Sequence, residues 1–317
     1  MSPQTYETQR AWKNVQEFLP QRLHFSKEHQ PVEEWWENRG HIIHLDRWKN
    51  PGAKIRLILH HGVGTNGRQM SMILGVPLHQ AGFELVAVDM PGYGRTQVAK
   101  GVVYSYDDWV SIANDFVNFE LEHDKRPIVL YGLSAGGMLT YHTAAVNKRV
   151  SGIIGMTFLD QRIQQVADET ARNMFMARVG LPMTRLCNNP LTKKISVPMW
   201  LASKMSALAN DPKALAIMLA DPSSAGSWKS MRFLATYSSY KPAIEPEDFN
   251  ICPVLLTQPA EDVWTPLHLS EAFLPKIKKV PVKTVMLENA GHYPLEDPGL
   301  QQLADAIIQF LTELSPK

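Results

Sequence analysis

From residue 41 onward the chain alternates short apolar runs with longer stretches of helical periodicity, and that rhythm leaves few folds open. The runs span residues 55–59, 85–88, 127–131, 152–156, 253–257 and 283–287. Each is rich in Val, Ile or Leu with little alternation, as strands covered on both faces are. Strands separated by helices build βαβ units, hence a mostly parallel sheet with helices on both faces. Residues 41–48 supply an earlier, more amphipathic strand.

Two stretches fall outside this rhythm. Trp12, Val15 and Leu19 stand at helical spacing before Pro20, which predicts an amphipathic helix outside the main core in an N-terminal helical extension, residues 1–40. Between Gly155 and Pro253 helical patterns and Pro/Gly stops replace the strands. Met174, Met176, Met183, Met199, Met205, Met218 and Met231, half of the chain's 14 methionines, lie there. A helical insertion after the sixth strand, residues 160–245, followed by a return to the sheet, predicts a lid over a core of residues 41–159 and 246–317. With Trp200 and Trp228 its methionines could line a pliable apolar pocket.

The segment 128–137 reads IVLYGLSAGG. A strand runs straight into G-x-S-x-G, and a helical pattern follows from Met138. A serine on so sharp a turn is lifted above the sheet with a helix N-terminus behind it, and the flanking glycines leave room for the close approach. Ser134 is therefore the candidate nucleophile. A serine hydroxyl is a poor nucleophile at neutral pH and needs a base. The strand–G-x-S-x-G–helix segment resembles the nucleophile turn of the α/β-hydrolase superfamily, which supplies that base from a loop after the last strand. ENAGHYP over 288–294 resembles that histidine loop and implies His292. An imidazole base needs an acceptor to fix its tautomer. The family carries it in a G-x-x-D loop after the penultimate strand, which QPAEDVWTP over 258–266 resembles, implying Asp262. Glu261 in the same loop is a rival, and the resemblance makes Asp160 another, because some family members place their acid after the strand that enters the lid.

These motifs, in the order Ser134, Asp262, His292, resemble the α/β-hydrolase superfamily from about residue 40 to the end. Two further loops agree. His60-His61-Gly62-Val63-Gly64 resembles its oxyanion loop, and Asp89-Met90-Pro91-Gly92-Tyr93-Gly94-Arg95-Thr96 resembles its D-x-P-G-x-G-x-S turn. The sequence departs from the family pattern at Pro259, where glycine is usual. The resemblance implies oxyanion donors at the backbone N–H groups of Val63 and Ala135, with His60 and His61 bracing their loop. It implies a serine hydrolase working through an acyl-enzyme, and the apolar side chains of the lid point to a small to medium apolar carboxylic ester. Lactones, peptides or amides and carbon–carbon bonds suit the same three residues. A non-catalytic binding protein on this fold is the alternative of a different class.

Composition narrows the partners. The formal charge is +1, with 20% charged and 44% hydrophobic residues and no basic block, so no nucleic-acid footprint is expected. No apolar run reaches the ~18 residues of a membrane span, and the first twenty residues hold no signal-like apolar core. A cytoplasmic protein with two idle thiols, Cys187 and Cys252, is the expectation. So are a small-molecule ester-type substrate and the absence of a cofactor or metal; a homodimer stays open.

Overall fold

The computed structural model describes residues 4–316. Its centre is an eight-stranded sheet in the order β1-β2-β4-β3-β5-β6-β9-β10. The strands are β1 (Val32–Asn38), β2 (His41–Trp48), β3 (Arg56–His60), β4 (Glu84–Val88), β5 (Ile128–Gly132), β6 (Gly152–Gly155), β9 (Val254–Pro259) and β10 (Val282–Leu287). β1 and β2 run antiparallel to each other, β2 runs antiparallel to β4, and every other pairing is parallel. The parallel centre, β3 to β6, is buried throughout, as continuous Val/Ile/Leu runs require.

Helices cover the sheet in two groups. α2 (Gly67–Gln80) and α11 (Gly299–Leu314) pack on each other and on β4 and β10; α3 (Tyr106–His123) and α4 (Ala135–Asn147) pack together, with α4 against β5 and β6. Sequence sets their starts. Asn66 with Gln69, and Ser105 with Asp108, each form a reciprocal capping box, which satisfies two otherwise orphaned N–H groups per helix.

Three sequence expectations change. The opening forty residues are not only helical: α1 (Arg10–Gln16) is followed by β1. Nor do they lie outside the core, since Val15, Leu19 and Leu23 are buried in it. β10 is apolar in sequence but half-exposed, because it is an edge strand with β9 on one side only.

The segment between β6 and β9 is mainly helical. It contains α5 (Gln164–Thr170), a π-helical turn (Met176–Gly180), α6 (Leu181–Leu186), α7 (Met199–Ala202), α8 (Pro212–Ala220) and α9 (Met231–Tyr237). It is not free of strands, because β7 (Ser196–Pro198) pairs with β8 (Trp228–Ser230). One short helix, α10 (Leu267–Glu271), follows β9. Cys187 and Cys252 are free thiols. Among the described residues no helix is long and apolar enough to cross a membrane.

Candidate active site

Ser134 joins β5 to α4 at φ 56° and ψ −122°, a conformation that costs a non-glycine residue on the order of 1–3 kcal/mol. The turn is held by crowding. A Cβ on Gly132 would lie 2.0 Å from the Gly136 carbonyl oxygen, and one on Gly136 would lie 2.6 Å from that of His60. Only glycine permits either approach, so G-x-S-x-G here is a packing requirement. Ser134 itself is 4% exposed and lines a pocket.

Asp262 and His292 come together from different loops, with His292 Nδ1 2.8 Å from Asp262 Oδ2. The loop from β9 is an Asx-type turn, in which Asp262 Oδ1 accepts the N–H groups of Trp264 and Thr265, while the Thr265 hydroxyl donates to Oδ2. Burial alone would push the Asp262 carboxyl up; the His292 ring and the Thr265 hydroxyl and amide outweigh it and hold the group below the usual carboxylate range. The ion is therefore the resident form, and the His292 Nδ1–H is donated to it. His292 Nε2 is then the basic nitrogen. It is buried and has no hydrogen-bond partner among the described residues.

Ser134 and His292 are not hydrogen-bonded here, but they share a neighbourhood. Trp264 and Thr265 line the Ser134 pocket; the Trp264 ring centre is 4.6 Å from that of His292, and Thr265 Oγ1 is 3.1 Å from His292 Nδ1. The two rival acids stand elsewhere. Glu261 is exposed and gives only its backbone, donating its N–H to the Ala290 carbonyl. Both Asp160 oxygens are gripped by the Arg162 guanidinium. Pro259 closes β9 opposite Leu287; it has no N–H to give, and Ala260 N–H donates to Leu287 O instead.

The loop after β3 crosses close to the serine turn. A Cβ on Gly62 would sit 2.7 Å from Leu133 O and 2.8 Å from Ser134 Cβ. Val63, the next residue, lines the Ser134 pocket, and its N–H is bonded to no carbonyl among the described residues. His61 braces this loop at both ring nitrogens. Nδ1 lies 2.8 Å from Gly62 O, and Nε2 accepts the Met90 N–H at 3.0 Å. Burial pushes His61 down to about 4 and His60 down to about 3, so both are neutral fixtures near neutral pH. Ala135, adjacent to Ser134, is fully buried at the start of α4.

The pocket walls are mostly apolar. Leu159, Leu181, Met199, Phe233, Leu234 and Trp264 provide the bulk. Of the seven methionines in residues 160–245, Met199 alone is a wall residue. Met174 and Met183 are half-exposed, and Met205 and Met218 are buried in the core. Trp200 and Trp228, at 51% and 62% exposed, face away from a role in the pocket. The methionine-rich segment does supply pocket walls, but through Leu181, Phe233 and Leu234 and one methionine, Met199. Sequence reading also passed over Thr265 as a partner of Asp262; the D-x-x-T spacing, which lets an aspartate fold back on the third residue, was the available signal.

Glu33, His44 and Asp46 bring three potential metal-ligand atoms within 4.8 Å of one another. The Arg68 guanidinium already occupies the position a cation would take, 2.6 and 2.8 Å from the two Asp46 oxygens and 3.5 Å from Glu33.

Residues 57–306 match the alpha/beta hydrolase family. The fold is similar to a soluble variant of monoglyceride lipase from Saccharomyces cerevisiae in complex with a substrate analogue (17% identity, TM-score 0.72, covering 93% of this chain and 99% of that one). It is also similar to the monoacylglycerol lipase of Paleococcus ferrophilus (19% identity, TM-score 0.66, covering 89% and 100%). In sequence, 128 residues are 27% identical to protein phosphatase methylesterase 1 of Mus musculus, 40% of this chain and 33% of that protein. The match thus spans about a third of the length of that relative, while the family match runs through most of this chain, and the chain belongs to the alpha/beta hydrolase family.

Proposed function

We propose that this hydrolase is a serine esterase acting through an acyl-enzyme, with Ser134 as nucleophile, His292 as base and Asp262 as the group that orients His292. The observation that carries the reading is the condition of His292: Nδ1 is tied to a buried carboxylate, and Nε2 is buried without a partner, beside the pocket of a strained serine. In the reaction Ser134 Oγ attacks the ester carbonyl and His292 Nε2 takes its proton. The negative oxygen of the tetrahedral intermediate is received by the N–H groups of Val63 and Ala135. His292 then returns the proton to the departing alcohol, and water, activated by the same nitrogen, releases the acid. An ester is favoured as substrate by the apolar pocket walls and by the lipase and methylesterase names of the relatives. The segment 160–245 serves as the cap, since Thr170, Leu181, Met199 and Phe233 from it wall the pocket.

A fluorophosphonate probe is expected to label the protein at Ser134 and to leave Ser134→Ala unlabelled with an unchanged melting temperature. A folded wild-type protein that stays unlabelled, as a binding protein on this fold would, sinks the proposal.

The wall residue Met199 gives a second expectation. Met199→Ala should shift the preferred acyl chain toward greater length, raising kcat/KM for the next longer p-nitrophenyl ester by ~10-fold. Met174→Ala, on the exposed side, should leave the chain-length profile as it is. Identical profiles in both variants would remove Met199 from the wall.

A further inference from the structure

A second, smaller pocket adjoins the first, with Tyr106, Met138, His142, Asp160 and Tyr240 among its walls. Leu159, Gln161 and Tyr237 line both pockets. The helix explains the alignment. Ser134 caps α4, and Met138 and His142 follow at four-residue steps, so the three share one face, with a rise of about 12 Å from first to last.

The chemistry of the niche is polar but uncharged. The Tyr106 hydroxyl lies 3.1 Å from His142 Nδ1, and burial pushes His142 down to about 3, so the ring is neutral. With Nδ1 accepting from Tyr106, the hydrogen resides on Nε2, which makes no hydrogen bond among the described residues. Asp160 contributes no free charge, because Arg162 holds both its oxygens and bridges onward to Glu245. The aromatic faces are occupied too: Tyr106 meets Tyr237 and Tyr240 edge-on at 5.2 and 5.3 Å, and His142 lies 4.5 Å from Tyr240. An ammonium group would therefore find neither an open aromatic face nor an unpaired carboxylate, and a carboxylate would find no cation. What remains is neutral hydrogen bonding from His142 and from the Gln161 amide, which at present shares a bond with the Thr170 hydroxyl.

We propose that this tyrosine-walled niche is the distal end of the substrate site and receives a neutral oxygen, a hydroxyl or carbonyl, at the far end of a medium-length acyl chain. The proposal rests on the serine esterase reading for its substrate and on the niche alone for its binding chemistry.

Two measurements test it. In the first, kcat/KM is compared for p-nitrophenyl esters from butanoate to decanoate, each plain and with an ω-hydroxyl, ω-carboxylate or ω-ammonium group. The ω-hydroxyl ester should exceed its plain counterpart at one medium length by about fivefold or more, the worth of one neutral hydrogen bond. Both charged esters should fall below the plain one. In His142→Phe and in Gln161→Leu, each compared within the same protein, the hydroxyl-to-plain ratio should fall toward one; the second variant keeps the test alive if the first misfolds. A plain or charged ester preferred at every length, or a ratio that survives in both variants, overturns the proposal. The second measurement is calorimetric titration of Ser134→Ala with ω-hydroxyoctanamide and octanamide. A preference for the hydroxyl compound supports the niche, and equal affinities count against it. If wild type cleaves no ester, the esterase reading fails and this titration still decides the niche.

Discussion

Asp262→Asn is expected to lower kcat by up to ~10⁴ while leaving KM for short esters near wild type. The size of the effect comes from one proton. An asparagine fits the same space, and its carbonyl oxygen can keep the N–H bonds of Trp264 and Thr265 that Asp262 Oδ1 now accepts. Its amide nitrogen then faces His292 Nδ1, where a carboxylate oxygen now sits at 2.8 Å. That nitrogen donates, so Nδ1 must accept, and the ring hydrogen moves to Nε2. The atom that should take the serine proton then already carries one. Loss of the negative charge also removes what stabilises the cationic ring in the transition state. Substrate binding draws on the apolar walls and is untouched. Glu261→Gln, at an exposed side chain, and Asp160→Asn, beside Arg162, should each stay within about tenfold, a little over 1 kcal/mol in the barrier. A mild Asp262→Asn together with a crippling effect at either rival would transfer the orienting role.

The parts of this protein that were legible in sequence are those whose cause is local. The strand at 128–132, the glycines around Ser134 and the loops holding Asp262 and His292 each state their requirement within a few residues: an apolar run, a forbidden Cβ, a turn after a strand. Where the cause is distant the reading failed. β1, with Glu33, Glu34 and Glu37 among its seven residues, has little of a strand's composition. It is a strand because it pairs along its whole length with β2 across the turn at Arg39 and Gly40, while His44 and Arg47 of β2, Lys49 beyond it and Arg68 of α2 offset the charge of Glu33 and Glu34. β10 carries the apolar run of a buried strand, and nothing in that run says it lies at an edge. The methionines show the same limit, since composition located the insertion between β6 and β9 but not which side chains turn inward. The tyrosine niche was invisible for a related reason, as Tyr106, His142 and Tyr237 come from α3, α4 and α9 and meet only in the fold.

Distant residues also hold the P-G-Y-G turn, and Asp89→Asn should therefore destabilise the protein by about 3–5 kcal/mol, the usual cost of breaking a buried charge pair. Asp89 is fully buried. It accepts the Gly67 N–H at the start of α2, the Arg95 N–H and the Tyr6 hydroxyl from the N-terminal segment. Its second oxygen lies 2.9 Å from His44 Nδ1, within ion-pair range although the ring N–H is not aimed along the hydrogen-bond line. His44 Nε2 meets Glu33 at 2.8 Å. Burial opposes the charge on His44, but Asp89 and Glu33 outweigh it and raise the group to about 9; burial likewise opposes the charge on Asp89, and chiefly His44 holds it at about 2. The signs set a pH window. A raised histidine stabilises the fold fully below its ordinary value near 6.5 and loses that contribution as pH climbs through about 9. A depressed carboxylate contributes above its ordinary value near 4 and loses it as pH falls through about 2. Between pH ~4 and ~6.5 both contributions are whole. The unfolding free energy of wild type minus that of His44→Asn, from urea transitions, should thus be greatest near pH 5–6 and shrink by roughly 3 kcal/mol toward pH 10. A difference that stays constant from pH 6 to 10 would mean that His44 is neutral in the folded protein. The turn beneath the serine loop would then be held by the Tyr6, Gly67 and Arg95 hydrogen bonds to Asp89, with no contribution from charge on His44.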